Sequence, residues 1–186
     1  MKTTKSWLAL AAAFCLVLVL ASCSRGEEES ASVPASVTKE MAGRYINFVQ
    51  YDGSLTTTEM QADVTDASAT FNLPYDCILG TVLSTDYEAA KATLKSTNVS
   101  TALTALRYHN GVATYKGENI TATFSYTAGG QKYTGSVSLT EVSVSYDSSA
   151  KTLRVAFRVS SLTIDGVDTS SFSTCTVYMQ PAEKAV

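Results

Sequence analysis

Histidine occurs once in the chain, at position 109, and tryptophan once, at position 7. A single imidazole cannot build a zinc or iron site. The four cysteines, Cys15, Cys23, Cys77 and Cys175, include no CxxC pair to replace it. No glycine-rich phosphate loop follows a strand-like run, so nucleotide chemistry has no cradle and no cofactor is expected. Prolines number three, and hydrophobic residues make up 45% of the 186 residues, which is not the composition of a disordered chain. Net charge is −3, and more negative once Lys2 and Lys5 are set aside. A chain so poor in cations is not expected to bind nucleic acid, whose affinity rests on phosphate contacts. The length leaves room for one domain of roughly 150 residues and little else.

Long apolar runs are also scarce. An uncharged, apolar run, Trp7 to Leu20 (WLALAAAFCLVLVL), follows Lys2 and Lys5. As a helix it reaches only about 21 Å, short of the ~30 Å hydrocarbon core of a bilayer. It therefore reads as the h-region of a secretory leader. Leu20-Ala21-Ser22-Cys23 comes next, and this run resembles the lipobox of bacterial lipoproteins. The resemblance implies cleavage after residue 22, lipidation of Cys23 through a diacylglyceryl thioether, and usually an N-acyl chain such as palmitate. Two or more acyl chains hold a soluble domain stably at a membrane, so the implied address is the outer membrane, with the domain facing the periplasm or the cell surface. Glu27-Glu28-Glu29 resembles the short acidic signals that send some lipoproteins to the cell surface; a solvated linker charge run is the alternative. With these features the chain is similar to the small uncharacterised lipoproteins of Gram-negative gut anaerobes, a resemblance that implies no particular activity. The expected organisation is a signal peptide over 1–22, a lipidated flexible linker over 23–40, and one β-rich domain over 41–182.

What the chain does have is serine and threonine, 23 and 25 residues, and a hydrophobic period of two. Gly43 to Tyr51 is rich in aromatic and β-branched residues, and Asp52-Gly53 supplies the turn pair of a type I′ hairpin. Leu55 to Ala67 returns with Met60, Ala62 and Val64 on one face. Between Asn72 and Ser96 the period becomes helical: Tyr75, Ile78, Leu79, Val82 and Leu83 form a stripe after Pro74. Thr85 and Glu88 have capping-box spacing ahead of a second short helix. Asn110-Gly111 marks another hairpin.

Ile120 to Thr127 alternates cleanly, and a turn at Ala128-Gly129-Gly130-Gln131 sets Tyr126 opposite Tyr133, Phe124 opposite Gly135, Ala122 opposite Val137 and Ile120 opposite Leu139. Past residue 139 the apolar positions switch from odd to even, which one extra residue at Thr140–Glu141 repairs; that is a β-bulge. A turn at Asp147–Ala150 would then set Val142 and Val144 against Val155 and Leu153, and Leu139 and Val137 against Phe157 and Val159. A second parity break falls at Ser160-Ser161, and a last strand, Phe172 to Gln180, carries Cys175, Val177 and Met179 on one side. The fold class expected is mainly β: an antiparallel meander of about eight strands forming a β-sandwich or flattened lipocalin-like barrel, with a short helical pair inserted near residues 74–96. Gly43-x-Tyr45 is similar to the Gly-x-Trp of lipocalin-like barrels, with tyrosine in place of tryptophan.

The candidates for chemistry are few. A Ser-His-Asp or Cys-His arrangement would have to use His109, beside a hairpin turn where exposed polar residues are ordinary. A glycosidase would need paired carboxylates; Asp165 with Asp168, and Glu118 with Glu141, are the pairs on offer, and surface Asp and Glu at turns are the ordinary case. No catalytic residue is assigned. Cys77 and Cys175 either form a disulfide, which would stabilise by about 4–5 kcal/mol in the chain-entropy model, or serve as two small buried apolar residues. The expected activity is a non-enzymatic binding or structural accessory module whose partner is a protein, a glycan or a small apolar ligand. A carrier holding an apolar ligand inside a barrel is the alternative, and a hydrolase a distant one.

Overall fold

The structure is a computed structural model and describes residues 32–94, 97–169 and 175–185. The expected signal peptide, Cys23 and the triple glutamate lie outside the described residues. The elements are α1 (Ala35–Met41), β1 (Gly43–Tyr51), β2 (Ser54–Val64), β3 (Ser68–Asn72), α2 (Tyr75–Ile78), α3 (Gly80–Leu83), α4 (Tyr87–Lys91), β4 (Asn98–His109), β5 (Val112–Gly117), β6 (Ile120–Ala128), β7 (Gln131–Asp147), β8 (Thr152–Ile164), β9 (Val167–Asp168), β10 (Cys175–Met179) and β11 (Ala182–Glu183).

One antiparallel sheet contains all the strands, and it closes on itself. The pairing runs β8-β10-β1-β2-β3-β4-β5-β7 and returns to β8, an eight-membered ring of the kind that removes most free strand edges. The expectation of a mainly β, barrel-like fold holds. Two strand bounds differ: β2 stops at Val64 rather than Ala67, because a bend at residues 65–67 turns the chain back, and β3 follows as a five-residue strand where none is expected. Thr65 Oγ1 accepts from the backbone N–H groups of Ala67 and Ser68 there.

The hairpin from β6 to β7 pairs as the sequence predicts, Tyr126 with Tyr133, Phe124 with Gly135, Ala122 with Val137 and Ile120 with Leu139. β5 and β6 lie end to end along the same edge of β7 without losing register, from Val112 opposite Asp147 to Ala128 opposite Gln131. The two act as one long strand with a bend at 118–119. The bulge after Thr140 is present, with Glu141 in the left-handed region at φ 54°, and a second irregularity leaves Ser160 out of the ladder.

The register of β7 with β8 is a correction. Val144 faces Val155, Tyr146 faces Leu153, Leu139 faces Val159 and Val137 faces Leu162, two or three residues from the expected partners. The loop runs over 148–151, not 147–150. Asp147 Oδ1 accepts from the Ser149 and Ala150 N–H groups, and Lys151 supplies the left-handed turn residue at φ 58°. The inward face is unaffected.

The helical segment is shorter and more broken than a pair. Three one-turn helices lie within 75–91, and no side-chain cap forms at the start of α4, so the Thr85/Glu88 capping box is not used. The second correction concerns the linker. Residues 35–40, expected as its polar end, are helical and with Met41 form α1, which buries Val37 and Met41 four residues apart on one face. Of the expected last strand, Cys175–Met179 is extended, and Phe172, Ser173 and Thr174 lie outside the described residues.

The two helical pieces sit at opposite ends of the barrel. α1 packs where β1 begins and the β7–β8 loop turns: the Tyr45 hydroxyl donates to the Met41 carbonyl at 2.7 Å, Thr38 Oγ1 pairs with the Tyr115 hydroxyl at 2.9 Å, and Glu40 pairs with Lys151. α2 to α4 cover the end where the β1–β2 and β6–β7 turns lie. Tyr75 meets the edge of Phe124 with centroids 5.5 Å apart, and Thr93 Oγ1 bonds both backbone groups of Thr127. Between them the interior is filled. Tyr45, Met60, Phe71, Leu139, Tyr146, Leu153, Phe157, Leu162 and Met179 are all at most 2% exposed and belong to one continuous cluster. Phe71 stacks on Phe157 across the core. At about 25 cal/mol per Å² of apolar surface, such side chains are the main source of stability.

Candidate functional site

Outward positions on the strands are set by the same alternation that fills the interior, so the polar residues that skip the core build the surfaces available for function. Three places gather enough chemistry to consider.

The first is the barrel end under α2, where Cys77 and Cys175 both lie near Tyr51. Cys77 and Cys175 are both free thiols and both buried, so the disulfide alternative is not formed. Cys77 Sγ donates to Thr56 Oγ1 at 3.7 Å. The Tyr51 hydroxyl bonds the Cys175 sulfur; burial first, then this bond, raises the Tyr51 pKa. Burial also raises the Cys175 pKa, against the opposing pull of Tyr51. A thiol held protonated and closed off from solvent is a poor nucleophile. Cys175 sits opposite Val159 in the ladder and packs as a small apolar residue. Nearby, the Tyr75 hydroxyl is buried beside Thr97 without reaching hydrogen-bond geometry, and burial raises its pKa too.

The second is the outer side of the helical segment. Asp76 accepts from the Tyr87 hydroxyl and from Lys91 Nζ at 2.8 Å. Partial burial pushes the Asp76 pKa up, but the two donors outweigh it and the net direction is down. The depression beside this group, about 460 Å³, is bordered by Thr57, Glu59 and Asn72. Asp76 is ionised and occupied by two partners, an arrangement that ties α4 to α2.

The third is the outer face of β1 to β4. An open groove of about 360 Å³ runs there, lined by Ile46, Glu59, Gln61, Asp63, Thr70 and the side chains of Asn72 and Asn98. A larger depression, about 550 Å³, lies on the opposite flank, where Thr123, Ser125, Thr134, Ser136 and Thr163 present hydroxyls. Ser136 and Thr163 satisfy each other there at 2.8 Å.

The residues weighed for catalysis lie at turns, a bend and a bulge. His109 pairs with Val112 at the tip of the β4–β5 hairpin, closed by Asn110 and Gly111 at φ 48° and 81°. Asp165 Oδ1 accepts from the Thr134 N–H at 2.8 Å and from its hydroxyl, pinning the turn after β8. Asp168 faces Thr163 in the short β9 pairing. Glu141 occupies the bulge and pairs with Arg158 at 3.4 Å, while Glu118 lies at the β5–β6 bend. Among the described residues no group of three or more His, Cys, Asp or Glu side chains could hold a metal ion. No described helix is long and apolar enough to cross a membrane. Sequence reading missed the β1–β4 groove, since Gln61, Asn72 and Asn98 come from three strands, one of them unrecognised; their shared outward parity was the only available signal. No protein-family model, no curated protein and no solved structure matches this chain.

Proposed function

We propose that this protein is a lipid-anchored envelope module that works without catalysis, binding or bracing a partner through the outside of its barrel. The observation that carries the reading is the filled interior closed at both ends, with Met41, Tyr45, Phe71, Phe157 and Met179 occupying the space a carried ligand would need. Eight-stranded barrels either fill with side chains or hold one small ligand, and this packing favours the first. The carboxylates, the histidine and the thiols serve turns, ladders and helix contacts. The Leu20-Ala21-Ser22-Cys23 sequence supports the anchor.

The test uses the full-length chain expressed with its own leader and purified in detergent. Mass spectrometry of the mature N-terminus should find Cys23 carrying a diacylglyceryl group, and native mass spectrometry of the protein should find no further apolar molecule of several hundred daltons. An unacylated N-terminus overturns the anchor. A stoichiometric apolar ligand released on unfolding overturns the module in favour of a carrier.

A further inference from the structure

The groove on the outer face of β1 to β4 is built from a cross-strand row. Ile46 on β1 faces Gln61 on β2, and Asn72 on β3 faces Asn98 on β4, so one aliphatic and three amide side chains line up across four strands. At ~4.8 Å per strand the row is about 14 Å long. The next row places Phe48 opposite Glu59, and the row on the other side places Arg44 opposite Asp63. Ile46 and Phe48 are each 43% exposed, two of only five large hydrophobic side chains so exposed among the described residues.

A chain of hydrogen bonds fixes how the row presents itself. Arg44 Nε donates to Asp63 Oδ1 at 2.7 Å, Gln61 Nε2 donates to Asp63 Oδ2 at 2.9 Å, and the Gln61 backbone N–H donates to Asn72 Oδ1 at 2.6 Å. The donors to Asp63, Arg44 first and Gln61 second, hold its pKa below the usual carboxylate range, so the chain stays charged and intact near neutral pH. With Gln61 and Asn72 oriented this way, Gln61 leaves its Oε1 acceptor and Asn72 its NH₂ donors without a bond to another described residue. Side by side on neighbouring strands they offer an acceptor next to a donor, the complement of adjacent hydroxyl groups, each of which both donates and accepts.

From this juxtaposition we infer that the β1–β4 face binds a neutral glycan chain, with the Gln61–Asn72–Asn98 row bonding its hydroxyls and Phe48 and Ile46 packing against the C–H faces of its rings. The inference rests on the binding-module reading above and names its ligand class. Other ligands fit less well. Two exposed apolar residues are too few for the core of a stable protein–protein interface. Nucleic acid would need cations, and Arg44 is already committed to Asp63. Acidic glycans would meet the Glu59 carboxylate. This hydrogen-bond chain pre-orients Gln61 and Asn72, which lowers the ordering cost of binding.

The experiment is affinity electrophoresis of the full-length chain in detergent, through gels containing starch, mannan, xyloglucan or mixed-linkage β-glucan, with polygalacturonate as the acidic polymer. At least one neutral polymer should retard the protein and polygalacturonate should not. Phe48→Ala and Asn98→Ala, both at exposed positions, should each weaken that binding by about tenfold, Phe48→Tyr should retain it, and Thr123→Ala on the opposite flank should leave it unchanged. Matching thermal melts show that the variants fold. Failure of every neutral polymer to retard the protein, retention of Phe48→Ala and Asn98→Ala equal to wild type, or preference for polygalacturonate overturns the inference. Those results leave the module reading standing, which falls instead to a ligand extracted from the interior.

Discussion

Gly135 is the residue on which the β6–β8 wall is most sharply constrained, and replacing it with alanine tests the packing directly. It lies opposite Phe124, and a Cβ built there would overlap the Phe124 ring and come within 2.6 Å of the Thr163 carbonyl oxygen. The ring can swing; the carbonyl belongs to the β7–β8 ladder and cannot retreat without loosening it. Overpacking of this kind costs about 1–3 kcal/mol, and the backbone contact puts Gly135→Ala in the upper half of that range. For a domain of this size each kcal/mol lowers Tm by about 2–4 °C, so the variant should melt roughly 5–10 °C below wild type. Urea denaturation followed by circular dichroism gives the free energy. Phe124→Ala alone should cost about 3–5 kcal/mol as a buried aromatic truncation. The double variant should cost less than the sum of the two, because removing the ring relieves one of the two clashes. A Gly135→Ala protein within about 0.5 kcal/mol of wild type, or strictly additive costs, would refute the close approach of β7 to Phe124 and to β8.

Two further outcomes can be checked with the same protein. Burial, reinforced by Tyr146 and Glu40, pushes the Tyr45 pKa up to about 12, so the folded state favours the neutral phenol; that stability is whole below the unfolded pKa near 10 and is lost as pH climbs toward 12. Tyr45→Phe should therefore lose about 1–2 kcal/mol near neutral pH, from the orphaned Met41 carbonyl, yet show a shallower loss of stability above pH 10 in denaturant titrations, and an unchanged alkaline limb would contradict this. Cys77 and Cys175 should resist a thiol reagent such as dithionitrobenzoate in the native protein and react fully in 6 M guanidinium; labelling of either within minutes under native conditions would mean that the end under α2 is open.

How much of this was legible in the sequence depended on how local the cause is. The β6–β7 hairpin was readable residue by residue, because a Gly-Gly turn and strict alternation leave one register that gathers Phe124, Tyr126, Val137 and Leu139 on a single face. The bulge at Glu141 was readable as well, since a change of parity within one strand requires an extra residue. The β7–β8 pairing was misplaced because the loop is chosen by Asp147 side-chain bonds and a left-handed Lys151, and Asp-Ser-Ser-Ala-Lys carries no sign of which residue turns left. β3 has only Ala69 and Phe71 pointing inward, too little to stand out from a loop. α1 has just Val37 and Met41 in an otherwise polar stretch, and its helix is paid for by docking on a core the local sequence does not reveal. Which strands close the ring, and the amide row of the β1–β4 groove, were not legible for the same reason: both join residues far apart in the chain.

The ring closes through β10, which pairs with β1 on one side and β8 on the other, and Gln50 and Gln180 touch across 130 residues of chain. A ribosome delivers β1 and β8 before β10. Until β10 emerges, β1 and β8 must each wait with a bare edge, the state in which β proteins mispair with neighbours and fold slowly. A nascent chain halted before Cys175 would thus be an open, sticky sheet, and β10 acts as the clasp that makes the molecule safe to leave alone.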